Sequence, residues 1–393
     1  MVLAMDTDNR DILISGASVA GPALAYWLGR YGFNPTVVER APQLRGGGYA
    51  VDFRGAAHLG ILAKMGILDQ IRAKQTHLAS ISYVDDAGRT VAPMPAEIFA
   101  GDVEILRGDL GRILYEATRD RTEYLFGDSI TRLEERPDRV HVTFQHGEPR
   151  TFGLVIGADG LHSAVRRLAL PGSEIHDLGL CVSIFTVANS FGVRRAGLLH
   201  SVPGRTAGLF SAGDQAIAQF FFPAPEAGYD DRDVAAQKKI LAGAFADVGW
   251  LVPELLAAMD DAPDFYFDSV SQVHIDRWSS GRVALIGDAA CAAGPGGNGT
   301  GNAVVAAYVL AGELAAAGGD YRSAFARYER LLRPYVAKGQ QQARGGKDFL
   351  APATAKRIAQ RDRMFRMLPH LPVKWLIRYL ANRTATGIKL PDY

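Results

Sequence analysis

Two segments of the sequence combine glycines with polar side chains in patterns that bind nucleotides, and the first is a turn near the start. Gly16, Ser18 and Gly21 form a Gly-x-Ser-x-x-Gly pattern, which directly follows a short apolar run. The first glycine permits a tight turn and the last permits close packing of a helix on a strand, while Ser18 replaces the glycine that lets the backbone approach a pyrophosphate. The turn therefore predicts a dinucleotide site, with Val19 and Ala20 at the N-terminus of a helix that favours anions.

An acidic side chain follows the turn at the distance that ribose binding requires. Glu39 ends the second apolar run, 18 residues after Gly21, where its carboxylate would accept hydrogen bonds from a ribose hydroxyl. Its neighbour Arg40 is a further candidate for the same ligand. The alternatives are a glycine turn without a ligand and the hydrolase turn Gly-x-Ser-x-Gly, one residue shorter, which would make Ser18 a nucleophile. The strand before the turn, the helix after it and the acid favour the dinucleotide.

The second segment lies about 270 residues later and ends another apolar run. Gly287 and Asp288 end this run, and a glycine-rich stretch then opens a predicted helix at Asn302. The candidate ligand-binding residues of the stretch are Pro295, Gly297, Asn298, Gly299, Thr300 and Gly301. One long dinucleotide across both segments, namely FAD, explains them better than two separate ligands. Asp288 would hold a ribityl or pyrophosphate-linked hydroxyl, and the amides of 297–301 would face the electron-rich edge of an isoalloxazine.

The elements that position these residues alternate between strands and helices at both ends of the chain. The runs 11–15 and 35–39 are predicted strands around a helix over 20–30, which is a βαβ unit. Residues 178–225 are predicted to be mostly β, and Asp85–Gly88 to be a hairpin turn. Further predicted elements are helices over 56–65, 109–119, 234–246, 304–317 and 321–338 and a buried strand over 282–286. This order predicts an α/β domain assembled from separated segments, with a mostly antiparallel domain inserted.

Composition limits the class of protein and its partners. The 393 residues carry 43 Lys and Arg against 42 Asp and Glu, so the net charge of +1 gives no electrostatic argument for nucleic-acid binding. Cys181 and Cys291 are too few for a disulfide framework or a Cys-rich metal site. The first ten residues lack a signal-peptide core, and no apolar run reaches the roughly 18 residues that span a bilayer. A soluble, cytoplasmic protein without stable membrane insertion is therefore expected.

Four motifs in the same order resemble a known enzyme family. Beside the glycine turn and the Gly-Asp pair at 287–288, Asp159 and Gly160 end the segment 155–160, and Arg107 precedes a predicted helix. In this pattern the chain resembles the class A, single-component, FAD-dependent aromatic monooxygenases of the para-hydroxybenzoate hydroxylase fold. The resemblance covers most of the chain and implies that these residues contact FAD.

Within that family, the compact tetracycline-inactivating flavin monooxygenases are the most similar. Their Arg…Gly-Gly…Asp segment is matched here by Arg45 to Asp52. The resemblance implies that Arg45 contacts NADPH, or NADH, and that Asp52 contacts FAD. Arg54 is a further candidate for the nicotinamide side, with an ordinary surface charge as the alternative. The chain departs from the family pattern at two places. Cys291 stands where the family has His, and we expect a small buried residue there rather than a covalent link to the flavin. The glycine pattern after Pro295 is one residue shorter than in the family.

The architecture of the family implies the fold class. It is α/β, with a Rossmann-type, GR2-like FAD domain, an inserted mostly antiparallel β-sheet substrate domain and a C-terminal bridging helix region. The implied ranges are 1–73, 99–176 and 270–338 for the FAD domain, 74–98 and 177–269 for the substrate domain, and 339–393 for the C-terminal helices. The last range carries 11 basic and 3 acidic residues, and Pro369 and Pro372 divide its amphipathic part, 361–380, into two predicted helices. These are expected to bridge the domains, with binding to a membrane surface as the alternative.

The activity of the family implies the reaction and the partners. NADPH or NADH would reduce FAD, and a flavin C4a-hydroperoxide formed with O2 would hydroxylate an aromatic or polyketide-like small molecule, with tetracycline-like compounds as one candidate class. No side-chain nucleophile is then expected, and the chain is expected to be a monomer or a weak dimer. The alternatives are a flavin-dependent reductase or dehydrogenase of the same fold, resembling geranylgeranyl reductase, and a non-catalytic flavoprotein.

The substrate is expected on the strands of residues 178–225, next to the flavin ring. Aromatic side chains there suit a planar apolar ligand, although ordinary core packing is the favoured interpretation of any single one of them. His200 and Tyr229 are candidates for deprotonating a phenol or an enol, with a structural role as the alternative. The predicted substrate residues are Phe185, His200, Phe210, Phe220 and Phe222.

Overall fold

The structure, a computed structural model, describes residues 9–94, 101–226, 228–230, 233–368 and 387–393. Its strands are β1 (Asp11–Ser15), β2 (Asn34–Glu39), β3 (Ala50–Phe53), β4 (Ser80–Val84), β5 (Thr90–Met94), β6 (Val103–Leu106), β7 (Glu123–Phe126), β8 (Ile130–Glu135), β9 (Val140–Phe144), β10 (Arg150–Phe152), β11 (Leu154–Gly157), β12 (Glu174–Ala188), β13 (Ala196–Val202), β14 (Arg205–Ala212), β15 (Gln215–Pro223), β16 (Phe265–His274), β17 (Ser279–Ser280) and β18 (Val283–Leu285). Its helices are α1 (Ala20–Arg30), α2 (Gly55–Lys64), α3 (Leu68–Ala73), α4 (Arg107–Glu116), α5 (Ala164–Ala169), α6 (Val234–Ala244), α7 (Val252–Ala258), α8 (Asp288–Cys291), α9 (Gly299–Ala316), α10 (Tyr321–Ala343), α11 (Gly346–Leu350) and α12 (Ala355–Met367).

A six-stranded sheet carries the βαβ unit, in the order β17-β18-β11-β1-β2-β7. Its strands are parallel except for β17, which pairs antiparallel with β18. Strand β11 is buried along its whole length and β1 at all but its first residue, as expected of parallel strands that are covered on both faces. Helix α1 connects β1 to β2 and buries most of its residues, so the predicted βαβ unit over residues 11–39 is confirmed.

A seven-stranded sheet forms the second large layer, in the order β16-β12-β15-β14-β13-β4-β5. Its neighbouring strands are antiparallel except for β13 and β4, which are parallel. The predicted hairpin turn at Asp85–Gly88 is confirmed, since it joins β4 to β5. Helices α6 and α7 cover one face of this sheet, which we call the covered face. Two small antiparallel sheets, β3 with β6 and β8 to β10, complete the architecture.

The C-terminal region contacts both layers. In α12, Phe365 stacks on Tyr83 of the seven-stranded sheet with ring centroids 6.0 Å apart, and Arg361 donates to the Ser201 hydroxyl at 3.1 Å. The hydroxyl of Tyr393 donates at 2.7 Å to a carboxylate in α9, a helix that packs on α1. Residues 369–386, with both prolines that were predicted to divide the region, lie outside the described residues. No helix among the described residues is long and apolar enough to cross a membrane.

Predicted helix ends differ from the structure, mostly by a few residues. The helix predicted over 304–317 begins at Gly299, so the predicted opening at Asn302 is wrong. Glycine has a low helix propensity, which hid the first turn. The helix predicted over 321–338 continues to Ala343 through an internal proline. The division of the chain into domains stays a prediction.

Candidate flavin site

The glycine turn between β1 and α1 leaves no room for a side chain at either of its outer glycines. Gly16 has a φ of +108°, and a Cβ on it would lie 2.5 Å from the carbonyl oxygen of Ala158. A Cβ on Gly21 would lie 1.9 Å from the carbonyl oxygen of Gly16. Val19 precedes the first helical residue, Ala20, and the first turn has neither a capping side chain nor an acidic residue. Its amides are therefore open to an anion.

Ser18 and Glu39 are both engaged by neighbouring groups at this turn. The Oγ of Ser18 accepts a hydrogen bond of 2.9 Å from the guanidinium of Arg107. The carboxylate of Glu39 accepts from the backbone amide of Ala17 at 2.8 Å and from that of Ala41 at 2.9 Å. The structure thus brings three predicted cofactor residues from separate segments to one turn. The guanidinium of Arg107 orients the hydroxyl of Ser18, the residue that replaces the middle glycine of the pattern.

Arg107 is the charge that connects the two predicted halves of the site. It opens α4, its amide donates to the Tyr49 carbonyl at 3.1 Å, and its guanidinium carbon lies 5.8 Å from the centre of the Tyr49 ring. The pKa of Arg107 is raised, chiefly by Tyr49 and then by Tyr266, Asp288 and Glu39, against the effect of burial. We call the partly exposed surface formed by Arg107, Tyr49, Tyr266 and Asp288 the central opening.

Asp288 lies where the N-terminal ends of α1 and α9 approach each other. A Cβ on Gly287 would lie 3.2 Å from the Ala20 Cβ and 3.6 Å from the Ala303 Cβ, so this loop packs against both helices. Asp288 is exposed to solvent, yet desolvation by the surrounding protein raises the pKa of its carboxyl, against the opposing effect of Arg107. The Asp288 carboxylate can thus be reached from solvent although protein surrounds it, and it could accept hydrogen bonds from the hydroxyl groups of a bound ligand.

The glycine-rich loop after Asp288 ends in an unusual helix start. Asn298 has a left-handed conformation, with a φ of +58°, and its carbonyl accepts from the Asn302 amide at 2.9 Å. The side chain of Asn302 donates to the Gly297 carbonyl at 3.0 Å, which fixes the loop, and Pro295 is half-buried. The first turn has no capping side chain and no acidic residue. The amides without an intrahelical acceptor are those of the first three helical residues, Gly299, Thr300 and Gly301.

Asp159 caps a helix beside the glycine turn. Its carboxylate accepts from the Ser163 hydroxyl at 2.5 Å, from the Ala164 amide at 2.8 Å and from the Val165 amide at 3.1 Å, all at the start of α5. Gly160 follows with a φ of +80°. The backbone of this segment adjoins the turn, whereas a direct contact between the Asp159 carboxylate and FAD stays a prediction.

The charged residues between 40 and 54 have different environments. Arg40 and Arg45 are exposed, and Asp52 forms an ion pair with Arg54. Arg54 is only 6% exposed, so the alternative of an ordinary surface charge is wrong. A contact between Arg54 and a nicotinamide stays a prediction.

Cys291 is a buried thiol in α8. Its Sγ donates to the Gly287 carbonyl at 3.4 Å. Burial raises the pKa of Cys291, which disfavours the thiolate that a covalent bond to a ligand would need. The prediction of a small buried residue at this position is confirmed.

Most of the predicted substrate residues lie on the covered face of the seven-stranded sheet, which corrects that prediction. The aromatic residues buried on this face are Phe185, Phe220 and Phe222. Phe220 packs edge-on against Phe245 of α6, with ring centroids 4.9 Å apart. His200 is also buried on this face, with its Nδ1 3.1 Å from the Val84 carbonyl. Because alternate residues of a strand point to opposite faces, these side chains belong to the core beneath the helices.

The opposite face, which we call the inner face, is covered by α12 near β4, β5 and β13. Phe210 lies on it in register with Ile217, and it is partly exposed. Tyr266 lies on the same face, and its interaction with Tyr49 and Arg107 places it at the opening. Phe210 packs against the cluster around Phe365 of α12, so its contact with a substrate stays a prediction. Gln219, the polar residue within the run 216–222, lies on this face opposite Ile184.

A polar cluster around Asp268 was missed by sequence reasoning. The Tyr266 hydroxyl donates to its Oδ2 at 3.1 Å, the Tyr229 hydroxyl donates to its Oδ1 at 3.3 Å, and the Nε2 of His162 lies 2.8 Å from Oδ1. Burial, and then Asp268, raise the pKa of both tyrosines. Both phenols thus stay protonated, which argues against Tyr229 as a base. No local signal exists for this cluster, since its members come from three separate segments.

A buried histidine supports the first turn of α9. The Nδ1 of His58 accepts from the Arg54 amide at 3.1 Å, and its Nε2 lies 2.8 Å from the Tyr335 hydroxyl. A Cβ on Gly301 would lie 2.1 Å from the His58 ring. Burial, and then the charge of Arg54, lower the pKa of His58 to about 4, with Asp102 opposing them.

Acid is expected to destabilise the protein through His58. Because the folded-state pKa of about 4 lies below the ordinary 6.5, its contribution to stability is complete above pH 6.5 and falls as the pH drops toward 4. The loss is expected to reach about 3 kcal/mol. Urea unfolding between about pH 4 and 7.5 measures it. His58→Gln should be less sensitive to acid by this amount, and the exposed-site control His146→Gln should follow the wild type. Equal acid sensitivity of His58→Gln and the wild type would contradict this role.

The arrangement fits FAD at both of its ends. The glycine turn is a cradle that a Cβ would fill, and both α1 and α9 direct uncapped N-termini toward the Gly287 loop. Arg107 supplies a positive charge between them, and Asp288 supplies an accessible acceptor. A diphosphate with hydroxyl-bearing groups on each side matches this set of donors and acceptors.

Comparisons with known proteins agree with this geometry. The family described as "FAD binding domain" matches residues 9–216. A flavin-dependent monooxygenase of Legionella longbeachae is 38% identical over 396 residues, which cover 98% of this chain and 98% of that protein. The crystal structure of tetracycline destructase Tet(55) is similar with a TM-score of 0.83 and 37% identity, over 99% of this chain and 100% of that one. That of tetracycline destructase Tet(51) has a TM-score of 0.87 and 35% identity, over 98% and 100%.

These similarities confirm the predicted family resemblance and the α/β fold class. They do not support the reductase or the non-catalytic flavoprotein that the sequence left open, because a relative that matches nearly the full length of both chains is a flavin-dependent monooxygenase. The chain belongs to the FAD binding domain family, and it is an FAD-dependent monooxygenase.

Proposed function

We propose that this monooxygenase uses NADPH or NADH to hydroxylate a planar aromatic or polyketide-like small molecule, and that tetracycline-like compounds are the first class to test. The observation that carries the proposal is that Tyr266 of the inner face acts electrostatically on Arg107 of the flavin site, with both side chains partly exposed. The similarity to two crystal structures, both of tetracycline destructases, supports the substrate class.

The flavin site assigns a separate role to each of its parts. The first-turn amides of α1 would bind the pyrophosphate, and Glu39, which already accepts from two amides, would accept from a ribose hydroxyl with its remaining lone pairs. Asp288 would accept from further hydroxyls, and the first-turn amides of α9 would face the ring system. When bound, FAD supplies the redox chemistry, and the chain contributes orientation and exclusion of water.

The inner face supplies the groups that would orient the substrate. The Tyr266 hydroxyl donates to Asp268, so its oxygen is left to accept from a hydroxyl of the substrate. Phe210 provides a partly exposed aromatic surface on the same face. Because the pKa of Tyr266 is well above its ordinary value, this phenol orients the substrate and removes no proton from it.

A basic residue in the loop before β3, Arg45, supports the use of a nicotinamide cofactor. Arg45 is exposed, in line with a role on a ligand that arrives from solvent. Arg45→Ala is expected to raise the KM for NADPH about tenfold, as the loss of one charge-assisted contact would. FAD content should stay at the wild-type level. Steady-state oxidation of NADPH measures this, and Arg89→Ala, in the exposed β4–β5 turn, is the control. An unchanged KM would remove Arg45 from the reductant site.

Oxygen consumption tests the proposed reaction directly. Holoenzyme with NADPH is expected to oxidise the nicotinamide slowly alone and several-fold faster with tetracycline, with matching O2 uptake and a product heavier by one oxygen atom. Screening smaller phenols in parallel separates a wrong substrate from a wrong reaction. Full turnover of a substrate without O2 would contradict the monooxygenase reaction.

A further inference from the structure

One carboxylate connects the seven-stranded sheet to the loop that carries Arg45. Asp264, in the turn before β16, accepts from the Gly48 amide at 3.0 Å through Oδ2. The same oxygen accepts from the Thr186 hydroxyl at 3.0 Å, and Oδ1 accepts from the Thr186 amide at 2.7 Å. Thr186 belongs to β12, so Asp264 is fixed to its own sheet while it binds a loop that precedes β3.

The loop is held from its other side by α4. The Gly108 amide donates to the Gly47 carbonyl at 3.0 Å, and a Cβ on Gly108 would lie 2.7 Å from the Gly47 nitrogen. A Cβ on Gly47 would lie 1.9 Å from Oδ2 of Asp264. Gly47 and Gly48 have φ values of +66° and +88°, which favour glycine. The backbone of residues 47–48 is therefore enclosed between the first turn of α4 and the Asp264 carboxylate.

Tyr49, the residue after this loop, contacts Arg107 of the flavin site. The Tyr49 carbonyl accepts from the amide of Arg107, and its ring lies beside the guanidinium that orients Ser18. A displacement of residues 47–48 would move Tyr49 and loosen Arg107. The position of Arg107 therefore depends on a carboxylate that belongs to the opposite layer of the molecule.

We propose that Asp264 is a positioning residue that clasps residues 47–48 onto the seven-stranded sheet and thereby holds Tyr49 and Arg107 in the geometry that retains FAD. We call the contacts of Asp264 with Gly48 and Thr186 the clasp. Opening the clasp frees the loop and widens the central opening from the solvent side. The clasp concerns retention of FAD and is independent of the reductant and the substrate proposed above.

Hydrogen exchange of the holoenzyme tests the clasp at the loop. Asp264→Ala is expected to speed exchange of the amides of 46–50 and of Gly108 about tenfold, as the loss of a charge-assisted hydrogen bond would. Exchange in β1 and β11 should be unchanged. Asp264→Asn keeps one acceptor oxygen and should give a smaller increase, and it decides the question if the alanine variant does not fold. The exposed Asp261→Ala, in the same turn, is the matched control. No increase at 46–50, or an increase spread over the whole chain, would overturn the proposal.

FAD retention tests the consequence for the flavin site. Asp264→Ala is expected to raise the Kd for FAD about tenfold, measured by flavin fluorescence. Gly47→Ala directs a Cβ at the carboxylate and should act similarly, whereas a Cβ on Gly46 meets no atom within 4 Å, so Gly46→Ala should not. In the Asp264→Ala background, Gly47→Ala should raise the Kd for FAD little further, apart from the effect of the strain that alanine has at a positive φ. Wild-type FAD affinity of Asp264→Ala, or full additivity of the two losses, would overturn the proposal.

Discussion

Replacing Gly21 with alanine is expected to lower the free energy of unfolding by about 3 kcal/mol and to leave the protein without bound FAD. The new Cβ would lie 1.9 Å from the Gly16 carbonyl oxygen and 3.3 Å from Cγ2 of Ile14. The clash at Gly16 is with backbone atoms, which cannot change rotamer as a side chain could. Helix α1 must therefore move away from β1 to make room for the new Cβ. This movement displaces the first-turn amides that the pyrophosphate would bind.

Gly29 in the same helix is the matched control for Gly21. A Cβ on Gly29 meets no atom within 4 Å. Gly29→Ala is therefore expected to keep full flavin content and to leave stability unchanged or raise it by up to about 1 kcal/mol. Urea unfolding and fluorescence of the flavin released by heat measure both variants. A Gly21→Ala protein with wild-type stability and full flavin content would show that the turn tolerates a side chain.

Replacing Arg107 with methionine is expected to weaken FAD binding by roughly 30- to 1000-fold, about 2–4 kcal/mol. The guanidinium donates to Ser18 and counters the negative charges of Glu39 and Asp288 from one position. Methionine keeps much of the side-chain volume, so the loss reports the charge and its hydrogen bonds rather than packing. The effect should exceed that of Ser18→Ala, because the serine variant leaves the charge in place.

Arg112, exposed on the same helix, is the control for Arg107. Arg112→Met should bind FAD as the wild type does, measured by titrating flavin-free protein with FAD. FAD affinity within threefold of the wild type would remove Arg107 from the cofactor site.

The glycine turn and the family could be predicted from sequence because their signals are local. Gly16, Gly21 and Glu39 stand at distances set by one strand, one helix and the next strand. The structure gives each glycine the crowded backbone that the pattern predicts. The start of α9 was predicted less well, since Gly299 and Gly301 are poor helix formers that tertiary contacts, including the ring of His58, hold in the helix.

The substrate face could not be predicted in the same way. Phe220, Phe221 and Phe222 follow one another in β15, and alternation alone does not say which of the two faces a helix will cover. Helices α6 and α7, more than ten residues further along the chain, cover the face of Phe220 and Phe222. A run of apolar residues on both faces therefore hid the distinction between core and ligand surface.

By itself the sequence determined the βαβ unit, the FAD turn, the second glycine segment and the family, because each rests on spacing along a short stretch of chain. Tertiary structure alone decided that Arg107 donates to Ser18 and acts electrostatically on Asp288, and that Asp264 holds the loop before Tyr49. Those contacts connect segments separated by dozens to hundreds of residues. Their partners are selected by how two sheets pack together, which no local pattern records.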